Sequence, residues 1–307
     1  MEKYVMEEDW DFLIILDACR YDYFNDVYKN YFEEGKMEKA ISPAIWTLEW
    51  AEKNFREYYG NIIYISTAPS INSKKKVSQR GCSFDAKKHF WKILDVWDWG
   101  WDDEMCTVRP EKVNEVVMKE IKKEVNKKFI IHYMQPHAPY LSLKNLSQPK
   151  KKTNSGKRVS KIYNLPGLYK AKNFLLGYIM KNFGTEAVWH LNKIFHFREV
   201  LPAHMEMAWR VVGKEGLRKA YKENLNIVLD NVKKLVDILE GKIVITSDHG
   251  ELLGEEGLYG HGPPLPRHKK LIEIPWLTIE GKEKKEQDNE KEELKQKIQR
   301  LKRIGKI

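Results

Sequence analysis

Cysteine is scarce in this chain. Cys19, Cys82 and Cys106 are the only three in 307 residues, and no two of them form a CxxC pair. That excludes a disulfide framework and fits free thiols in a reducing compartment. Long apolar runs are missing too: nothing approaches the roughly 18 to 20 consecutive apolar residues of a membrane span. The opening "MEKYVMEEDWD" carries acids where a secretory signal needs a basic and then an apolar run. The expectation is a cytoplasmic protein. Acidic residues are absent from Leu141 to Thr185, a stretch holding nine lysines and one arginine. Those ten positive charges equal the whole net charge of +10, so the rest of the chain is close to neutral. The partner implied is anionic: an ester substrate, or a polymer or membrane surface met peripherally through residues 144–172. Composition leaves the oligomeric state open.

What is present is a globular chain, 42% hydrophobic and 12% aromatic. Five short apolar runs, "DFLIILDA" (11–18), "NIIYIS" (61–66), "KFIIHYM" (128–134), "KIVITS" (242–247) and "IPWLTI" (274–279), have the length and composition of strands buried on both faces. Between them lie helical patterns. Residues 110–128 open on Pro110, and residues 221–241 place Leu225, Val228, Leu229, Val232 and Leu235 at helical spacing before Gly241. Strands alternating with helices predict an α/β fold, a mostly parallel central sheet flanked by helices. Residues 141–215 lack that alternation and read as a basic insertion in a domain of residues 1–280. Residues 281–307 read as a charged helical tail.

In open α/β sheets ligands bind beyond the carboxyl ends of the strands. Asp17 stands at such an end, Asp248 and His249 at another, and His132 and His137 at a third. A lone acid there is usually a helix cap, and three strands doing it together weaken that reading. Carboxylate oxygen with imidazole nitrogen suits a hard or borderline divalent ion. Zn²⁺ or Mn²⁺ is the first expectation, with Mg²⁺ or Ca²⁺ as alternatives. Thr47, at the start of a predicted helix, is either an ordinary N-cap or a nucleophile whose oxyanion the helix terminus would favour. Arg20 offers a fork for an oxyanion or sits at the surface. "LGEEGLYG" reads as a flexible segment letting His261 close over a ligand, with Glu251 orienting the neighbouring loop.

The set "LDACRYD", "SPAIWTLEW", "HYMQPHAPY", "ITSDHGE" followed by "YGHG", and "IPWL" resembles the sulfatase-like branch of the alkaline phosphatase superfamily. The motifs fall in the family's order and span residues 11–280. The resemblance implies an alkaline phosphatase-like sandwich. It also implies a metal held by Asp17, Thr47, Asp248 and His249, with Thr47 as the nucleophile of a covalent intermediate. By the same resemblance His137 and His261 act as catalytic or substrate-binding histidines, or bind a second metal where one exists. No cysteine lies in a formylglycine-maturation sequence, so a threonine mechanism is expected. Two-metal relatives carry an Asp where this chain has Tyr133, which favours one metal, with His132, His137 and His261 serving the substrate.

The function expected is metal-dependent hydrolysis or transfer of phosphate esters. A sulfate-ester or phosphonate hydrolase on the same site is the alternative. A reading of a different class is a nucleic-acid or anionic-polymer binding protein whose chemistry has lapsed, supported by "PKKKTNSGKRVSK" with Tyr163 and Tyr169 nearby.

Overall fold

A computed structural model describes residues 2–124, 126–146, 178–179, 182–191 and 204–281. Residues 147–172 of the lysine-rich stretch, with Tyr163 and Tyr169, lie outside the described residues, as do residues 282–307 of the tail. Seven strands form the central sheet: β1 (Phe12–Leu16), β2 (Lys36–Ile41), β3 (Tyr59–Ser66), β4 (Phe90–Asp95), β5 (Lys128–Tyr133), β6 (Lys242–Thr246) and β7 (Glu273–Glu280). Their order is β2-β7-β6-β1-β5-β3-β4, parallel from β6 through β4, with β7 antiparallel to both its neighbours. This is the α/β sandwich with a mostly parallel sheet that the alternation predicted. Strands β2 and β4 escaped the sequence reading because they are the sheet's edges, where one side is open and the apolar run breaks up.

β1 explains the layering. All five of its residues are buried. Phe12, Ile14 and Leu16 pack with Phe24 and Val27 of α1 (Tyr21–Val27), with Val113, Val116 and Val117 of α3 (Pro110–Ile121) and with Leu225, Val228, Leu229, Val232 and Leu235 of α4 (His204–Val236). Leu13 and Ile15 face the other way, onto Leu48, Trp50 and Ala51 of α2 (Thr47–Asn54). Side chains of a strand alternate between faces, so a strand covered on both sides must be apolar throughout. Each fully buried Ile or Leu there contributes roughly 1.5–3 kcal/mol relative to exposure.

Helix α4 is interrupted at Gly213, where φ is 67°. Its first part, within the stretch read as an insertion, buries Met205, Ala208 and Trp209 with Trp189, Leu253 and Tyr259 in a third cluster. That cluster supports the loop of Ala138 and Tyr140 and a two-stranded hairpin, Leu252–Glu255 with Leu258–Gly260. The hairpin corrects the expectation of a flexible segment. Its turn at Glu256 and Gly257 has φ of 52° and 71°, which suits the twist of paired strands. No helix among the described residues is long and apolar enough to cross a membrane.

Candidate metal centre and active site

β1 lies between β5 and β6, with Ile15 opposite both His132 and Thr246. Strands leaving a parallel sheet in register deliver their next residues to one rim, so Asp17 and Asp248 emerge side by side. The turn after β1 is strained. Ala18 has φ of 59°, in the left-handed region that non-glycine residues avoid. Its amide donates to Asp248 Oδ1 at 3.1 Å, and Tyr221 Oη donates to its carbonyl at 2.7 Å. Ser42 Oγ donates to the Asp248 carbonyl at 2.5 Å, tying the Thr47 loop to the same point. Gly250 is required by close approach, because a Cβ there would stand 2.1 Å from the Lys270 carbonyl oxygen. The glycine of "SDHG" is thus a packing requirement of the single-turn helix Lys269–Ile272 behind the site.

Asp17, Asp248 and His249 are buried, and their ligand atoms all lie within 4.8 Å of one another. His249 Nε2 is 3.3 Å from Asp248 Oδ2 and 3.7 Å from Asp17 Oδ1. His249 Nδ1 lies 2.9 Å from the Gly250 carbonyl, an acceptor only, so Nδ1 carries the proton and Nε2 presents its lone pair. Thr47 Oγ1 is 3.4 Å from that same Nε2. The N-cap of α2 is Trp46, without a side-chain cap, so Thr47 occupies the first helical position rather than the cap itself. Burial pushes the His249 imidazole below its ordinary value. Burial would raise the Asp17 carboxyl, but the imidazoles of His132, His137 and His249 override it and hold it below the usual carboxylate range.

A second group sits beside the first. His137, Glu251 and His261 also bring their ligand atoms within 4.8 Å of one another. His261 Nδ1 is 3.0 Å from Glu251 Oε1, and the His261 ring centroid is 4.4 Å from that of His249 and 5.1 Å from that of His137. Burial opposes protonation of His261, but the Glu251 carboxylate outweighs it and pushes the imidazole up to about 9. The His137 loop is fastened by Asn224 of α4. Its Nδ2 lies 3.2, 3.1 and 3.2 Å from the carbonyls of Pro136, His137 and Pro139, and its Oδ1 accepts from the Leu141 amide at 2.8 Å.

Of the nine buried side-chain polar atoms without a hydrogen-bond partner among the described residues, five lie here: Asp17 Oδ1, Asp248 Oδ2, His132 Nε2, His137 Nδ1 and Glu251 Oε2. Orphaned buried donors and acceptors are costly and rare, and these converge on one place. Asp17 Oδ1, Asp248 Oδ2, His137 Nδ1 and Glu251 Oε2 are carboxylate oxygens and an imidazole nitrogen, the donor set a divalent cation takes, so the residues of the two groups fit such an ion.

The structure brings Asp17, Thr47, Asp248, His249, His137 and His261 together and places two expected residues otherwise. Arg20 faces Asp22 at 2.7 Å and Glu255 at 2.8 Å, and its Nη1 donates to the Glu251 carbonyl at 3.3 Å. Its fork is committed to the protein, so it braces Glu251 instead of meeting an oxyanion. His132 is 0% exposed and lies beneath the first group, with Nε2 3.7 Å from Asp17 Oδ2. Tyr133, at the position where two-metal relatives have Asp, points into the core and donates to Asn114 at 2.5 Å. The carboxylate of the second group comes from Glu251 instead, read from the sequence as orienting a loop. Asn224 escaped notice altogether. Its signal was a polar residue beside the apolar stripe of α4.

No family model matches the chain. Over 140 residues it is 33% identical to phosphoethanolamine transferase EptA of Helicobacter pylori, covering 41% of this chain and 26% of that protein. The match thus spans about a quarter of the relative's length. The soluble domain of lipooligosaccharide phosphoethanolamine transferase A from Neisseria meningitidis aligns at a TM-score of 0.49 and 12% identity, covering 87% of this chain and 75% of that one. The phosphonate monoester hydrolase SpPMH from Silicibacter pomeroyi aligns at 0.43 and 12% identity, covering 91% and 68%. The similar proteins in sequence and structure are thus described as phosphoethanolamine transferases, a phosphonate monoester hydrolase and a sulfatase.

Proposed function

We propose that this protein is a metal-dependent enzyme that transfers or hydrolyses a phosphate ester through a covalent phosphothreonine at Thr47. The observation that carries the reading is the convergence of orphaned carboxylate and imidazole atoms beside a half-buried hydroxyl at a helix N-terminus. Asp17, Asp248, His249 and the Thr47 oxygen would hold a divalent ion, Zn²⁺ or Mn²⁺ by donor type. When bound, it supplies Lewis acidity that lowers the pKa of the Thr47 hydroxyl and offsets charge on the phosphoryl oxygens. Thr47 Oγ1, half-buried and within reach of water, gives up its proton to solvent and forms a bond to phosphorus while the ester P–O bond breaks. His261, protonated through Glu251, gives the departing oxygen its proton, and the first amides of α2 stabilise the anionic oxygens. Water, or an acceptor hydroxyl, then attacks phosphorus, passing its proton to the His261 ring that the first step left neutral, and the Thr47 Oγ1–P bond breaks. His137 orients the substrate's remaining oxygens, or with Glu251 and His261 completes a second cation site.

On the same reading, residues 1–280 form the catalytic domain, residues 141–215 a basic insertion that attracts the anionic substrate, and 281–307 a tail. The free thiols of Cys19, Cys82 and Cys106 fit a reducing compartment. The test is turnover of aryl phosphate monoester, phosphodiester, phosphonate and sulfate substrates by metal-stripped protein reloaded with Zn²⁺, Mn²⁺, Mg²⁺ or Ca²⁺. Metal-restored cleavage of one phosphate class, lost in Thr47→Ala, is the expected result. Sulfate cleavage alone would move the substrate to the sulfate class. Turnover no better than that of the Thr47→Ala protein with every metal would sink the proposal.

A further inference from the structure

His132 is buried, and it faces the carboxylates of Asp17 and Asp248. Its side chain is 0% exposed on β5, with Nε2 lying 3.7 Å from Asp17 Oδ2 and 4.0 Å from Asp248 Oδ2. The opposite ring nitrogen, Nδ1, is 2.8 Å from Tyr64 Oη. Tyr64 is itself fully buried on β3, its ring packed 6.1 Å from that of Phe55 and 5.0 Å from that of Phe90.

A bond count fixes the protons. The Tyr64 hydroxyl has one proton, and an imidazole nitrogen without a proton is an acceptor at the right distance. A buried hydroxyl that donated nothing would forfeit roughly 1–3 kcal/mol. The O–H therefore donates to Nδ1, which leaves the ring's proton on Nε2. A protonated nitrogen cannot ligate a cation, but it can donate to carboxylates. We propose that His132 is a positioning residue, its tautomer set by Tyr64, whose Nε2–H holds the carboxylates of Asp17 and Asp248 in the orientation that grips a divalent cation. This inference rests on reading those carboxylates as metal ligands. At 3.7 and 4.0 Å the two contacts are longer than hydrogen bonds, so Nε2–H acts as a dipole shared between two anions, and a small carboxylate rotation brings either into bonding range. Two carboxylates facing each other repel, and a proton-bearing nitrogen between them offsets that repulsion while fixing where their free oxygens point. Groups that orient ligands in this way commonly change metal affinity by about 10- to 100-fold.

The experiment measures Mn²⁺ affinity of the full chain by equilibrium titration. It is paired with a pulsed EPR count of metal-bound imidazole nitrogens at substoichiometric loading. His132→Gln keeps a donor at the Nε2 position and retains affinity within about threefold. His132→Phe, which keeps the ring and removes the donor, weakens binding by about 10- to 100-fold. Tyr64→Phe, which frees the tautomer, falls between them. The count of bound nitrogens stays at the wild-type value in His132→Gln and Tyr64→Phe, and far-UV circular dichroism of the metal-free proteins shows that both fold. Loss of one bound nitrogen in His132→Gln would make His132 a ligand and overturn the proposal, as would unchanged affinity in His132→Phe. Absence of saturable Mn²⁺ binding by the wild type, or an Asp248→Asn protein that binds as well as wild type, overturns the metal reading itself along with the role built on it.

Discussion

Two groups of ligand-type side chains sit within one ring's reach of each other, and they are carried differently. Asp17, Asp248 and His249 stand on the ends of neighbouring central strands, and all three are buried. His137 comes from the segment after β5, and Glu251 and His261 from the segment after β6, and the two histidines are only half-buried. The first group inherits the rigidity of a sheet covered on both faces, so its geometry is set before any ligand arrives. The second owes its placement to Asn224, to Arg20 beneath Glu251 and to the third apolar cluster, and it opens to solvent. A fixed inner group suits holding a cation, whereas a half-open outer group suits meeting a substrate that comes and goes.

That contrast can be broken at the inner group first. Thr47→Ala is expected to lower kcat by about 10³-fold or more at saturating metal, while Thr47→Ser keeps a measurable share. Asp248→Asn is expected to weaken metal binding beyond the roughly 100-fold reached by changes outside a ligand set, and Glu251→Gln to do less. Equal losses in the two would erase the difference between the groups.

Next in size is a change behind the inner group. Gly250→Ala sets a methyl against the Lys270 carbonyl and is expected to destabilise the protein by about 1–3 kcal/mol, read as a fall in thermal midpoint. At the outer group, Asn224→Leu leaves the His137 loop's carbonyls without their donor. Its stability loss is expected to be of similar size, accompanied by a rise in KM larger than any change in metal affinity.

The smallest expected effect is a titration. In the metal-free protein the His261 imidazole should titrate near 9 by NMR, and Glu251→Gln should move it back towards the ordinary histidine range. Because the folded value is raised, the stabilisation it brings is fully present below about 6.5 and fades as pH rises through about 9. A titration that Glu251→Gln leaves unmoved would detach the pair from each other.

Much of this was legible beforehand. The strand ends of "DFLIILDA" and "KIVITSDHG" announced Asp17, Asp248 and His249, because an apolar run closing on a carboxylate is conspicuous in one dimension. The hairpin at Leu252–Gly260 was not, since two strands of four and three residues separated by Glu256 and Gly257 leave almost no periodicity. Nor was the fate of Arg20. Its partner Glu255 lies 235 residues away along the chain, and nothing local distinguishes an arginine bound to protein from one awaiting an anion.

The sequence alone determined the α/β class, the buried strands, the rim residues and the helix that begins at Thr47, because each follows from local periodicity and composition. Only the tertiary structure decided that β1 lies between β5 and β6, so that Asp17 meets Asp248 and His132, and that Glu251 joins His137 and His261. Those neighbours are set by strand order and packing between distant segments, and strand order is a property of the whole core that no short stretch encodes.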